Sequence, residues 1–179
     1  MRLFIALMTT PIQEQIFEIE EGLKKQITDV RWVKKDNLHL TLKFLGDVDK
    51  VKVELIKETI VSIGSQCKEF DFSFSKVSGF PKEEAARVIF VGLDNGEKEI
   101  KESMIKLDEE TCKMGFKREK SYIPHLTVGR VKFGTVNLKT GSKNNFPPVM
   151  GHATGIEIIK SELTKFGPIY TSIYKFGFS

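Results

Sequence analysis

Cysteine and histidine are scarce in this chain, and long apolar runs are missing. Only two cysteines and three histidines occur in 179 residues. Cys67 and Cys112 have neither metal-ligand spacing nor a disulfide framework. They read as free, buried thiols of a reducing compartment, so the expected location is cytoplasmic. No stretch approaches the roughly 18 apolar residues that a membrane helix needs. The run LFIALM is too short and too poorly flanked for a signal peptide. There is no Walker loop and no dinucleotide fingerprint. No carboxylate pair lies near the histidine motifs, which argues against a two-metal phosphodiesterase site, and threonine is a poor zinc ligand. No linker or low-complexity tail divides the sequence, so residues 1–179 read as a single domain. A net charge of +4 permits an acidic partner such as nucleic acid without establishing one.

Because histidine is so rare, its placement carries information. All three histidines begin a His-x-Thr tripeptide: His39-Leu40-Thr41, His125-Leu126-Thr127 and His152-Ala153-Thr154. On a β-strand, residues i and i+2 share a face. The first two motifs sit in strand-like segments, NLHLTLKFLG and IPHLTVGR, where the intervening leucine turns inward. Each would present one imidazole and one hydroxyl together. His152 lies between glycines in GHATG and reads as a surface loop residue, a decoy.

The first two motifs also match in a wider pattern. RLFIAL at Arg2 and RVIFVGL at Arg87 are offset by 85 residues, and His39 and His125 by 86. Both halves read strand, helix, basic loop, His-x-Thr strand. This suggests an internal duplication, with repeats of about 2–86 and 87–179. A helix is expected over 11–27, with Thr10 as N-cap, Gln13 completing a capping box, and Ile12, Ile16, Leu23 and Ile27 on its apolar face. A second is expected over 49–63. A third, over 95–115, carries Ile100, Met104, Leu107 and Cys112 and ends on Gly115. Strands are expected at 70–77, 87–93, 156–162 and 170–178. The segment 139–155 is the longest irregular stretch.

Basic residues precede both motifs: Arg31, Lys34 and Lys35 before the first, and Lys117, Arg118 and Lys120 before the second. Such flanks fit an anionic substrate drawn in by the local field. Strict alternation puts Arg130 on the opposite face from His125, unless a bulge at Gly129 redirects it. Trp32 and Phe44 lie near the first motif and are candidates for a base pocket.

The segments HLTLKFLGDV, SYIPHLTVGR, MRLFIAL and SELTKFGPIYT together resemble the RNA 2′,3′-cyclic phosphodiesterases, historically called 2′-5′ RNA ligases, of the 2H phosphoesterase superfamily. The resemblance spans essentially the whole chain. It implies an α+β fold of two pseudo-symmetric lobes, each an antiparallel β-sheet flanked by helices, with a central cleft between them. It implies metal-independent opening of a 2′,3′-cyclic phosphate to a 2′-phosphate, with no cofactor and with possible reverse 2′-5′ ligation. By position, His39 matches the proton donor and His125 the proton acceptor. Thr41 and Thr127 match the phosphate-contacting threonines, and Arg130 a less uniformly placed substrate-binding arginine.

The expected partner is RNA bearing a 2′,3′-cyclic phosphate end, or a small cyclic nucleotide. No membrane and no obligate protein partner is inferred. Two other readings stand beside this one. The first is the same chemistry on small cyclic nucleotides or 2′-5′ oligoadenylates. The second is a non-catalytic module that only holds a phosphate or an RNA end, although binding alone would tolerate Lys or Arg where the two histidines stand.

Overall fold

Alternation sorts the side chains of the two arginine-led strands into two sets. In β1 (Arg2–Thr9), Leu3, Ile5 and Leu7 enter the main core, while Phe4 and Ala6 face the other way into a small cluster with Ile159 and Tyr170. In β5 (Val88–Asn95), Ile89, Val91 and Leu93 enter the same core and Phe90 and Gly92 face away. Each of these two strands therefore has one side turned to the helix-covered core and another that carries an aromatic ring and a very small residue. Phe4 and Phe90 are 86 residues apart, as His39 and His125 are.

In the computed structural model, residues 1–139 and 145–179 are described. The remaining elements are α1 (Gln13–Lys24), β2 (Val30–Trp32), β3 (Thr41–Asp47), α2 (Lys50–Gly64), β4 (Phe70–Phe80), α3 (Glu97–Lys113), β6 (His125–Val131), β7 (Asn145–Thr164) and β8 (Gly167–Gly177). The fold is α+β, and every strand pairing is antiparallel. The hydrogen-bonded path runs β2-β6-β5-β4-β7-β1-β3, with β8 added on β7. The two sets of strands are exchanged between the sequence halves: β4 lies beside β5, and β7 beside β1. β7 joins them, pairing with β4 through residues 145–153 and with β1 and β8 further along.

The helices bury apolar stripes against one side: Ile16 and Leu23 from α1, Val53, Ile56, Ile60 and Ile63 from α2, and Ile100, Met104 and Leu107 from α3. Each such side chain contributes about 1.5–3 kcal/mol. α3 ends as expected. Gly115, at φ 88°, donates to the Cys112 carbonyl, and Phe116 N–H reaches the Thr111 carbonyl, which together form a Schellman cap. The fourth inward position is Thr111, whose hydroxyl bonds the Leu107 carbonyl; Cys112 is only half-buried. α1 is shorter than the sequence pattern suggests. Thr10 does not cap it, because the Thr10 hydroxyl accepts the His152 N–H from β7 instead, at 3.0 Å. The irregular stretch expected over 139–155 is strand from Asn145 onward, and residues 140–144 lie outside the described residues. Among the described residues, no helix is long and apolar enough to cross a membrane.

One buried ion pair ties the first motif strand to the approach to the second. Lys43 (β3) and Asp108 (α3) are 1% and 0% exposed. Lys43 Nζ donates to Asp108 Oδ1 at 2.6 Å and to the Lys117 carbonyl at 2.6 Å. Asp108 also accepts the Glu119 N–H at 3.1 Å and the Tyr122 hydroxyl at 2.6 Å. Burial alone would raise the Asp108 pKa. The donors from Lys43, Tyr122 and Glu119, with the Lys43 charge, outweigh it and hold the carboxyl below the usual carboxylate range. The segment that leads to His125 is thus pinned to the strand that follows His39.

Removing one partner strands a buried charge, at a cost of about 3–5 kcal/mol, whereas removing both does not. Lys43→Met or Asp108→Leu alone should lower the urea midpoint sharply, and the double variant should recover much of the loss. The native pair's contribution should also fade as pH falls through the depressed Asp108 pKa, on the acid side of the ordinary carboxylate range. Urea unfolding of the four proteins at neutral and acid pH measures both effects.

Candidate active site

The His-x-Thr strands do not alternate strictly, and the irregularity assembles the site. Where β6 pairs with β5, Ile89 opposes Gly129 but Phe90 opposes Thr127, so Val128 is an extra residue in a bulge. Opposed residues of an antiparallel pair share a face. Val88, Phe90 and Gly92 share a face of β5, so their partners Arg130, Thr127 and His125 share it too. The bulge therefore returns Arg130 to the histidine's side, against strict alternation. Gly129 is needed there because a Cβ would meet Val30 Cγ1 at 2.6 Å and the Trp32 ring at 3.0 Å.

β3 repeats the device. Ile5 opposes Lys43, and Ala6 opposes Thr41, which leaves Leu42 as the extra residue 86 positions before Val128. Phe44, opposite Phe4, then shares the face of Thr41, at the position equivalent to Arg130. Phe44 is exposed and its ring centroid lies 6.0 Å from that of Phe4. Trp32 is placed differently: it packs on the core side, over Gly129. His39 itself sits two residues before β3, where the ladder continues through Leu7 N–H to the Leu40 carbonyl at 3.0 Å.

Both imidazoles are held in the same way. His39 Nδ1 lies 2.6 Å from the Asn37 carbonyl and His125 Nδ1 lies 2.7 Å from the Ile123 carbonyl. A carbonyl only accepts, so each Nδ1 carries the hydrogen and each Nε2 is left free. Aromatic rings wall both sides. His39 packs on Phe4 and Tyr170, with centroids 4.6 and 5.2 Å away, and His125 on Phe80 and Phe90, at 4.9 and 5.2 Å. Burial against these rings pushes both histidine pKa values below the ordinary value near 6.5. The Asn37 and Ile123 carbonyls work the other way. The positive charge of Arg130 lowers both further, and His125 lowers His39. The two imidazoles and Arg130 thus act on one another electrostatically.

Thr41 and Thr127 are half-buried, and among the described residues neither hydroxyl bonds another protein group. A cavity of ≈ 310 Å³ is lined by Phe80 and Phe90, the two rings that pack on His125, and by Lys76, Glu83, Ile123 and Pro124 among others. Of the basic flanks, Lys35 is drawn to Glu14 on α1, and Arg118 lies 3.8 Å from Asp108 in the buried network. The cross-strand pairing sets Arg31 directly opposite Arg130.

His152 belongs elsewhere. It lies within β7 rather than in a loop, opposite Asp71. Its ring bonds Asp71 at 2.6 Å and Glu69 at 3.1 Å, and these carboxylates raise its pKa. The sequence reading passed over Phe4, Phe90 and Tyr170. The first two carried a usable signal, the same 86-residue spacing as the histidines.

The sequence model of the LigT-like phosphoesterases matches residues 6–90. A Methanocaldococcus jannaschii protein named RNA 2′,3′-cyclic phosphodiesterase is 35% identical, covering 97% of this chain and 98% of its own. One of the same name from Methanothermobacter thermautotrophicus is 33% identical, covering 98% and 97%. E. coli LigT, solved in complex with 3′-AMP, superposes with a TM-score of 0.78 at 21% identity, over 99% of this chain and 98% of its own, a likeness of fold.

The three imidazoles should titrate in a set order. His39 and His125 should deprotonate on the acid side of 6.5 and His152 on the alkaline side, in a ¹⁵N NMR titration of the ligand-free protein. The neutral forms of His39 and His125 should show the Nδ1–H tautomer.

Proposed function

The chain belongs to the LigT-like phosphoesterases, the family of the RNA 2′,3′-cyclic phosphodiesterases, and from that premise we propose that it hydrolyses RNA 2′,3′-cyclic phosphate ends to 2′-phosphates without a metal. The observation that carries this reading is the matched pair of imidazoles, each presenting a free Nε2 beside a threonine hydroxyl, with the Arg130 charge acting on both.

His125 Nε2 takes a proton from water as the water oxygen bonds to phosphorus. His39, protonated, gives a proton to the departing 3′-oxygen as the P–O3′ bond breaks. Thr41 and Thr127 donate to the non-bridging oxygens and hold phosphorus between the rings. Arg130 offsets the phosphate charge. The depressed pKa values fit this division. Burial and the Arg130 charge disfavour the protonated form of both histidines, and a phosphate anion beside Arg130 would shift His39 back towards holding a proton. A 5′-hydroxyl in place of water gives a 2′-5′ linkage, but with no energy input hydrolysis dominates in water. We further propose that the chain is a single bilobal domain built from two repeats, about 2–86 and 87–179. The matched histidines, phenylalanines and bulges support this.

Incubation of a cyclic-phosphate RNA with the protein in EDTA should give a 2′-phosphate, assigned by ³¹P NMR. Loss of turnover in EDTA that a divalent ion restores would overturn the metal-free route. His39→Ala and His125→Ala should each cost at least about 10²-fold in kcat/KM, and the double variant far less than the product. The kcat/KM profile should be bell-shaped and centred on the acid side of 6.5, because it reports the free enzyme. A 3′-thio leaving group, which needs no proton, should rescue His39→Ala but not His125→Ala. Rescue of His125→Ala instead would exchange the two roles.

A further inference from the structure

Two arginines face one another where the sheet offers them no counter-charge. Arg31, on the edge strand β2, is the direct cross-strand partner of Arg130. Their side chains share a face, the face of Thr127 and His125. Like charges set directly opposite one another destabilise a strand pair. Among the described residues neither arginine has a carboxylate partner: the ion pairs there engage Lys24, Lys35, Lys43, Lys57, Lys113, Arg118, Lys139, His152 and Lys160. An arrangement that costs stability in the empty protein and keeps both guanidinium forks free is suited to receive an anion.

The surroundings define which anion. Arg31 and Arg130 line a cavity of ≈ 320 Å³ together with Val131, Lys132 and Phe133. Phe133 is 80% exposed, an aromatic ring offered to solvent beside three cations. Cations that track a phosphate backbone next to a ring on which a base stacks are the two components of single-stranded nucleic-acid binding. Arg31 lies one strand outward from Arg130, about 5 Å, and Arg130 is the next face position after Thr127, roughly 7 Å along the strand. That is the order of the step from one phosphate to the next along an extended strand.

We propose that Arg31, Lys132 and Phe133, with Arg130 as the shared wall, form a second-nucleotide subsite that holds the phosphate 5′ to the terminal nucleotide and stacks the penultimate base. This rests on the phosphodiesterase reading and narrows it. The substrate is an RNA chain rather than a free cyclic nucleotide.

Three substrates separate the contributions: a 2′,3′-cyclic mononucleotide with a 5′-hydroxyl, the same with a 5′-phosphate, and a dinucleotide ending in the cyclic phosphate. In the unaltered protein kcat/KM should rise along that series, by about tenfold or more in total. Arg31→Met should remove the gain made by the 5′-phosphate and by the dinucleotide, and leave the 5′-hydroxyl substrate within about twofold. Phe133→Ala should reduce the dinucleotide alone. On the dinucleotide, Arg31→Met should also flatten the salt dependence by about 0.7 in the log–log slope, the mark of one lost phosphate contact. Turnover of all three substrates at one rate, or equal losses across the series in both variants, would remove the subsite and leave the activity standing. Turnover of none would remove the activity and the subsite with it. Phe133 is exposed enough that its replacement tests the idea even if Arg31→Met fails to fold.

Discussion

Everything at this site depends on one extra residue in each motif strand. A β-strand sends successive side chains to opposite faces, so a histidine and a group five positions later belong on different sides. The bulges at Leu42 and Val128 each absorb one residue and reverse that parity. The leucine or valine still points into the core, and the next outward position rejoins the histidine and threonine. In this way three side chains are presented together by a strand that is otherwise buried on its far face. The same parity change delivers Phe44 in one half and Arg130 in the other. The device is symmetric; the chemistry it presents is not.

The two histidines illustrate how burial and charge divide the work. Rings from Phe4, Tyr170, Phe80 and Phe90 exclude water and depress basicity, while the backbone carbonyls of Asn37 and Ile123 fix the orientation. Both imidazoles are thus less basic than a free one, and the nearby Arg130 charge adds to that effect. The Lys43–Asp108 pair works at the opposite extreme. There, opposite charges are buried together and fully bonded, and their role is to hold two segments from different halves of the chain in register.

Much of this was legible in the sequence. The His-x-Thr spacing, the repeat offset, the three helices and the glycine that ends the third all read directly from periodicity and turn chemistry. Gly129 signalled the bulge in β6. Nothing comparable marks the bulge in β3, where the corresponding residue is Lys43, and a buried lysine looks in sequence like any solvated one. β2 is only three residues long and Thr10 satisfied every local rule for a cap, yet its hydroxyl was taken by a strand 142 residues away. His152 looked like loop because glycines flank it. Those glycines instead let β4 and β8 pack closely on β7, where a Cβ at Gly151 would meet the Phe72 ring at 2.3 Å and one at Gly155 the Phe176 carbonyl at 2.2 Å. In each case the deciding partner was distant in sequence, which local pattern does not reach.

The exchange of β4 and β7 between the halves has a consequence for how the molecule acquires activity. Neither half owns a complete sheet: β5 depends on a strand from the first half, and β1 on one from the second. The closing pairings therefore join residues more than a hundred positions apart, such as Leu3 with Lys160. Such high contact order makes folding slow and leaves little room for a half-formed intermediate that is stable by itself. The halves share one sheet, so opening of either would break strand pairings of the other. Catalytic competence should arise in a single cooperative step, and a nascent chain remains inert until its last long strand has been made.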